Sequence, residues 1–150
     1  MTVVAIAAES ALVGRAGSDP PGASGFTLQA VEEHAVPVLR ITSGSGSLDF
    51  YARLGFEIAW EHRFAAGLPL FASVLRGNWH VFLSEHDEDA APKGLAYFYA
   101  DDVDAVHEAW RSLGVVLEPP QDRPWGMREL QVVDPDGNRL RVGSLAAVTD

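Results

Sequence analysis

Val36-Pro-Val-Leu-Arg-Ile-Thr-Ser-Gly-Ser-Gly-Ser-Leu-Asp-Phe-Tyr-Ala-Arg-Leu-Gly55 is the stretch on which the fold turns. Its first part, Val36 to Thr42, is rich in β-branched residues and reads as a strand. Pro37 sits near its start, where a missing N–H is tolerated at a sheet edge. Gly44, Ser45 and Gly46 read as a loop, and Ser47 as the N-cap of a short helix that brings Leu48, Tyr51 and Leu54 onto one face. Gly55 is placed to end that helix in a left-handed conformation. Strands are predicted over 56–62, 70–75 and 79–84, the last two joined at Arg76-Gly77-Asn78, a hairpin signal.

The same order returns roughly sixty residues later. A strand is predicted over 95–100, and Asp101 or Asp102 can cap a helix whose buried stripe is Val103, Val106, Trp110 and Leu113 before Gly114 stops it. Strands over 115–118, 128–133 and 138–143 follow, with the turn Asp134-Pro-Asp-Gly137 between the last two. Leu54-Gly55 answers Leu113-Gly114, and Asn78 answers Asn138. The expected fold is α+β: two βαβββ units forming a cupped mixed sheet. Each unit presents only a small sheet, so the two must pack on each other or exchange an arm with a second chain.

Outside this repeat, residues 14–25 (Gly-Arg-Ala-Gly-Ser-Asp-Pro-Pro-Gly-Ala-Ser-Gly) are small and turn-forming, a linker by composition. The chain therefore divides into an N-terminal extension over residues 1–33, a domain over 34–144 and a tail over 145–150. With 150 residues, 47% hydrophobic and 21% charged, it holds one domain with a packed core and no room for two independent ones. Asp and Glu number 21 against 11 Lys and Arg, a net charge of −10. That charge repels nucleic acid and anionic membrane and favours a cationic ligand. No cysteine is present, which excludes a disulfide framework, a thiol nucleophile and Cys-ligated metal. No segment is apolar enough to span a bilayer, and Met1 to Val13 lacks the basic start of a secretory signal, so a cytoplasmic location is expected.

Ala35-Val-Pro-Val-Leu39, Leu48-Asp-Phe-Tyr-Ala-Arg-Leu-Gly-Phe56, Leu95-Ala-Tyr-Phe-Tyr99, Asp102-Val-Asp104, Pro124-Trp-Gly-Met-Arg-Glu129 and Asp134-Pro-Asp-Gly-Asn138 together resemble the bleomycin resistance proteins. These belong to the vicinal oxygen chelate superfamily, with glyoxalase I and the extradiol dioxygenases. The resemblance spans about residues 34–144. The superfamily's enzymes hold a divalent metal at three positions that correspond here to Val36, Leu95 and Arg141. Two aliphatic side chains and a protonated guanidinium offer no lone pair, so no metal and no cofactor are expected. A relocated site among His34, His62, His80, His86 and His107 shows no metal-binding spacing.

What remains is aromatic. Strand parity turns Tyr97 and Tyr99 toward the cleft with Leu95, and Phe98 away from it. Trp60, Phe64, Trp79 and Trp125 can extend such a wall, which suits a planar or cationic ligand. The resemblance implies that Tyr97 and Trp125 line a drug groove, with Gly126, Met127 and Arg128 in the loop beside it. It also implies that Pro37 fixes an arm exchanged between the subunits of a homodimer. Arg141 needs a partner, for which Glu129 and Glu85 are candidates; unpaired, it would disfavour a cation. The expected function is metal-independent sequestration of a bleomycin-type glycopeptide, metal-loaded or free, that confers resistance to the drug with no bond made or broken and no catalytic residue. The alternative is an enzyme of the superfamily acting on an unknown small molecule, through a relocated metal or through acid–base groups such as Tyr97, Glu129 or His80.

Overall fold

A computed structural model describes residues 33–148; the linker reading of residues 14–25 lies outside the described residues. The first unit comprises β1 (Val38–Arg40), α1 (Gly44–Arg53), β2 (Glu57–His62), β3 (Phe71–Arg76) and β4 (Trp79–Ser84). The second comprises β5 (Leu95–Tyr99), α2 (Val103–Ser112), β6 (Gln121–Asp122), β7 (Met127–Val133) and β8 (Arg139–Leu145). Each builds a four-stranded mixed sheet in the same order, β1-β4-β3-β2 and β5-β8-β7-β6. In both, the opening strand lies parallel to the closing one and the remaining pairs are antiparallel. The α+β reading and the two βαβββ units are thus present, as two hydrogen-bonded sheets.

The repeat is closest where backbone chemistry dictates it. Both helices end in the same motif: Gly55 and Gly114 adopt φ of 89° and 79°. Their N–H groups bond Ala52 O and Arg111 O, while those of Phe56 and Val115 reach back to Tyr51 O and Trp110 O. This double closure needs a left-handed residue after the last helical turn, which glycine adopts at little cost. The inner faces of both sheets and both helices bury one shared core that includes Tyr51, Leu54, Val74, Val81, Trp110 and Leu140. Trp110 crosses between the units, its Nε1 donating to Leu54 O at 2.9 Å.

Four sequence expectations are corrected. The first helix starts at Gly44, not Ser47, with no side-chain cap from Ser43. Its start is satisfied from afar: Glu85 Oε1 accepts from Gly44 N at 2.7 Å, and Asp136 accepts from Thr42 N and from the Ser47 hydroxyl. A methyl on Gly44 would meet Leu70 at 2.6 Å, so the close packing there requires glycine. Leu113 is 55% exposed and does not complete the buried stripe. The predicted strand over 115–118 does not pair, because Pro119-Pro120 follow it and proline carries no donor; pairing with β7 begins only at Gln121. Asn138 is wholly buried, its Nδ2 donating to Arg40 O and to Asp134, whereas Asn78 is an exposed turn residue. Their alignment in sequence is not an equivalence of role.

Candidate functional site

Alternation along β5 sends Ala96 and Phe98 into the core and leaves Leu95, Tyr97 and Tyr99 on the outer face of the second sheet. The registers Tyr97 to Arg141, Tyr99 to Gly143 and Gly143 to Glu129 put Arg139, Arg141, Gly143, Met127, Glu129 and Gln131 on that same face. The Tyr97 ring lies across β8 at Gly143, where a Cβ would come within 2.0 Å of its hydroxyl. Having crossed the strand, the hydroxyl donates to Glu129 Oε1 at 2.9 Å. Trp125 Nε1 donates to the same oxygen at 3.1 Å, and Arg123 Nε stands 3.3 Å from Oε2. Tyr97 and Tyr99 meet edge to face, ring centres 5.2 Å apart.

Glu129 is only 3% exposed, yet Oε1 accepts two hydrogen bonds and Oε2 faces the Arg123 guanidinium. Burial alone would raise its carboxyl pKa; donation from Tyr97 and Trp125 and the charges of Arg141 and Arg123 hold it below its ordinary value. The Tyr97 phenol is pushed up to about 12, by burial first and then by its bond to the Glu129 carboxylate. Trp125 remains 63% exposed and Tyr99 76% exposed, whereas the Tyr97 ring is covered on one side by β8, so the wall is anchored through Tyr97 and Trp125 and most open at Trp125 and Tyr99. Beside it, where the segment before Pro119 fails to pair, a cavity of about 490 Å³ opens against β7. Leu117, Glu118, Arg123, Glu129 and Gln131 are among the residues lining it.

Several expected site residues lie elsewhere. Trp60 is on the outer face of the first sheet, 9% exposed, stacked on Phe71 with ring centres 5.6 Å apart and tilted against Phe82. Its faces are spent on those neighbours. Trp79 packs in the core against Phe56, Phe98 and Trp110 and donates its Nε1 to Tyr99 O. Phe64 is exposed beside His62. Arg128 alternates to the opposite face from Glu129 and forms ion pairs with Asp104 and Asp122. Arg141 bonds Gln131 Oε1 at 3.2 Å, neither of the two carboxylates named from sequence; Glu85 instead caps α1. Gly126 takes φ of 81° in the turn that leads from Trp125 into Met127. Pro37 lies just before β1, and its carbonyl accepts from Phe82 N at 2.9 Å.

Val36, Leu95 and Arg141, which the resemblance aligns with the superfamily's metal ligands, have side chains with no lone pair to offer a cation. Among the described residues, no group of three or more His, Asp or Glu side chains is gathered to hold one. The first sheet's outer face does bring His34 Nε2 to 3.2 Å from His80 Nδ1, with His80 Nε2 at 2.8 Å from the Ser73 hydroxyl. Gly143 was the residue overlooked in sequence. A glycine inside a strand is the signal of a close approach, here by a tyrosine ring.

A family model described as "Glyoxalase superfamily protein" matches residues 23–147. Among solved structures, a bleomycin-binding protein complexed with bleomycin is 25% identical, with a TM-score of 0.63 over 76% of this chain and 99% of its own. A bleomycin resistance determinant encoded on the transposon Tn5 is likewise 25% identical, with a TM-score of 0.64 over 77% of this chain and 99% of its own. A lactoylglutathione lyase from Agrobacterium tumefaciens shares the fold at 22% identity and a TM-score of 0.57, over 74% of this chain and 92% of its own. No curated protein sequence matches. The fold is therefore shared by drug-binding proteins and enzymes, and the chain belongs to the glyoxalase superfamily.

Proposed function

We propose that the chain is a metal-independent binding protein that sequesters a small natural product with a planar aromatic part, with bleomycin-type glycopeptides the class to test first. The observation that carries this reading is the wall of Tyr97 and Trp125, both tied to one oxygen of Glu129, at the end of a sheet whose metal positions hold Leu95 and Arg141. Rings fixed at their polar atoms and open on their faces lose little entropy when a flat ligand stacks on them. The bleomycin-binding neighbours at 25% identity support the choice of ligand. The acid–base alternative has less support from Glu129 and Tyr97: both oxygens of Glu129 are engaged, and a phenol pushed up to about 12 stays protonated at neutral pH, leaving almost no phenolate to act as a base.

Calorimetric titration with copper-loaded bleomycin is the direct test. Saturable heat at tens of micromolar, weakened about ten-fold by Trp125→Ala or Tyr97→Ala, is the expected result. No heat from the parent, or variants that bind as well as the parent, would sink the reading.

A further inference from the structure

The charge of the whole chain and the charge of the proposed site have opposite signs. Across β5, β8 and β7 the outer face of the second sheet carries Arg139 and Arg141, with Arg123 at its rim, against the single carboxylate of Glu129. That carboxylate is turned inward and committed to Tyr97, Trp125 and Arg123. Among the described residues, half-buried Arg141 is hydrogen-bonded only to the neutral amide of Gln131, with Glu129 near enough to feel its charge, and Arg139 is in no ion pair. Asp104 and Asp122 are bound to Arg128, which alternates to the reverse face. Glu118 lines the neighbouring cavity, on the segment before Pro119 that pairs with no strand.

Resting on the binding reading above, we infer that this face selects planar aromatic ligands bearing an acidic group, the ring stacked on Tyr97 and Trp125 and the acid paired with Arg141. A guanidinium presents a planar fork that matches a carboxylate, and its neutral present partner is displaced more cheaply than a charged one. A cationic ligand would meet the same guanidinium, which Glu129 offsets only in part because that carboxylate also faces Arg123. The net charge of −10 acts on long-range approach, and at contact distance the nearest groups dominate because salt screens the rest.

Three isosteric probes separate the possibilities: 2-naphthoate, neutral 2-(hydroxymethyl)naphthalene and the 2-naphthylmethylammonium cation. The readout is the indole N–H resonance of Trp125, assigned with Trp125→Phe, during titration at about 0.15 M ionic strength, where the distant charges are screened. The naphthoate should bind about five-fold or more tightly than the cation, and Arg141→Gln should erase that preference while the neutral probe binds unchanged. Arg139→Gln, at an exposed position, provides a second variant should Arg141→Gln fold poorly. Equal or tighter binding of the cation, an order that survives both substitutions, or no shift with naphthoate at millimolar concentration overturns the inference. Copper-loaded bleomycin run in parallel tells the two failures apart. If it binds while the probe order is wrong, only the charge selectivity fails; if nothing binds, the binding reading itself fails.

Discussion

Glu129 shows how one side chain sets the character of a surface. A buried carboxylate is costly unless its oxygens are satisfied, and here two aromatic donors and a guanidinium satisfy them. The return is that Tyr97 and Trp125 hold fixed orientations before any ligand arrives. A direct mark of this arrangement is the ionisation of Tyr97. Its folded pKa is raised, so the neutral phenol is favoured, and the associated stability is present below the ordinary tyrosine value and lost as pH rises through about 12. Absorbance titration at alkaline pH should show Tyr97, identified by its loss in Tyr97→Phe, ionising near 12. Glu129→Gln should bring it back toward about 10. A parent Tyr97 that already titrates near 10 would contradict the bond. The aromatic residues and their parity along β5 are legible in the sequence; the bond to Glu129 is not, because residues 97 and 129 meet only when β8 is laid between their strands.

At the scale of the element, the two helices contrast. Helix α2 carries its own start signal, Asp102, whose carboxylate accepts from the N–H groups of Asp104 and Ala105. Helix α1 has none, and Glu85 supplies the missing acceptor from the residue following β4, bonding Gly44 N, Leu70 N and Arg63 at once. Burial would raise the Glu85 carboxyl pKa, but these donors hold it below the ordinary value. A carboxyl with a depressed folded pKa stabilises the protein fully above about pH 4.5 and loses that contribution as pH falls through the folded value. Glu85→Ala should therefore cost about 1–2 kcal/mol at neutral pH, a fall in Tm of about 5 °C by thermal denaturation. The gap between parent and variant should narrow below about pH 4, and a gap that stays constant with pH would show that the charge is not what stabilises α1. The early start of α1 was hidden in the sequence for the same reason, since Gly44-Ser-Gly46 reads locally as a loop and only the distant carboxylates make it helical.

For the whole molecule, the outer face of the second sheet stands open among the described residues, with Tyr99, Trp125 and Leu145 strongly exposed. An arm exchanged between subunits through Pro37, as the family resemblance implies, is our proposal for how a second copy engages. It predicts a dimer on size-exclusion chromatography at low micromolar concentration that Pro37→Ala shifts toward monomer. A parent that elutes as a monomer, or a variant that elutes as the parent does, would count against the arm. No helix among the described residues is long and apolar enough to cross a membrane.

The sequence by itself determined the elements that depend on neighbours in the chain: the glycine stops at Gly55 and Gly114, the hairpin at Gly77, the Asp102 cap, and the alternation that puts Tyr97 and Tyr99 on one face. The side chains of Val36, Leu95 and Arg141 have no lone pair to offer a metal in any conformation, which is likewise a matter of sequence. The tertiary structure decided which aromatic rings are free. Trp60 and Trp79 are consumed by Phe71 and by the core, while Trp125 is held open by Glu129. It also decided the sign of the local field. Composition sums every charge in the chain, whereas a ligand senses those within a few ångströms, and only the register of β5, β8 and β7 gathers the arginines around one wall.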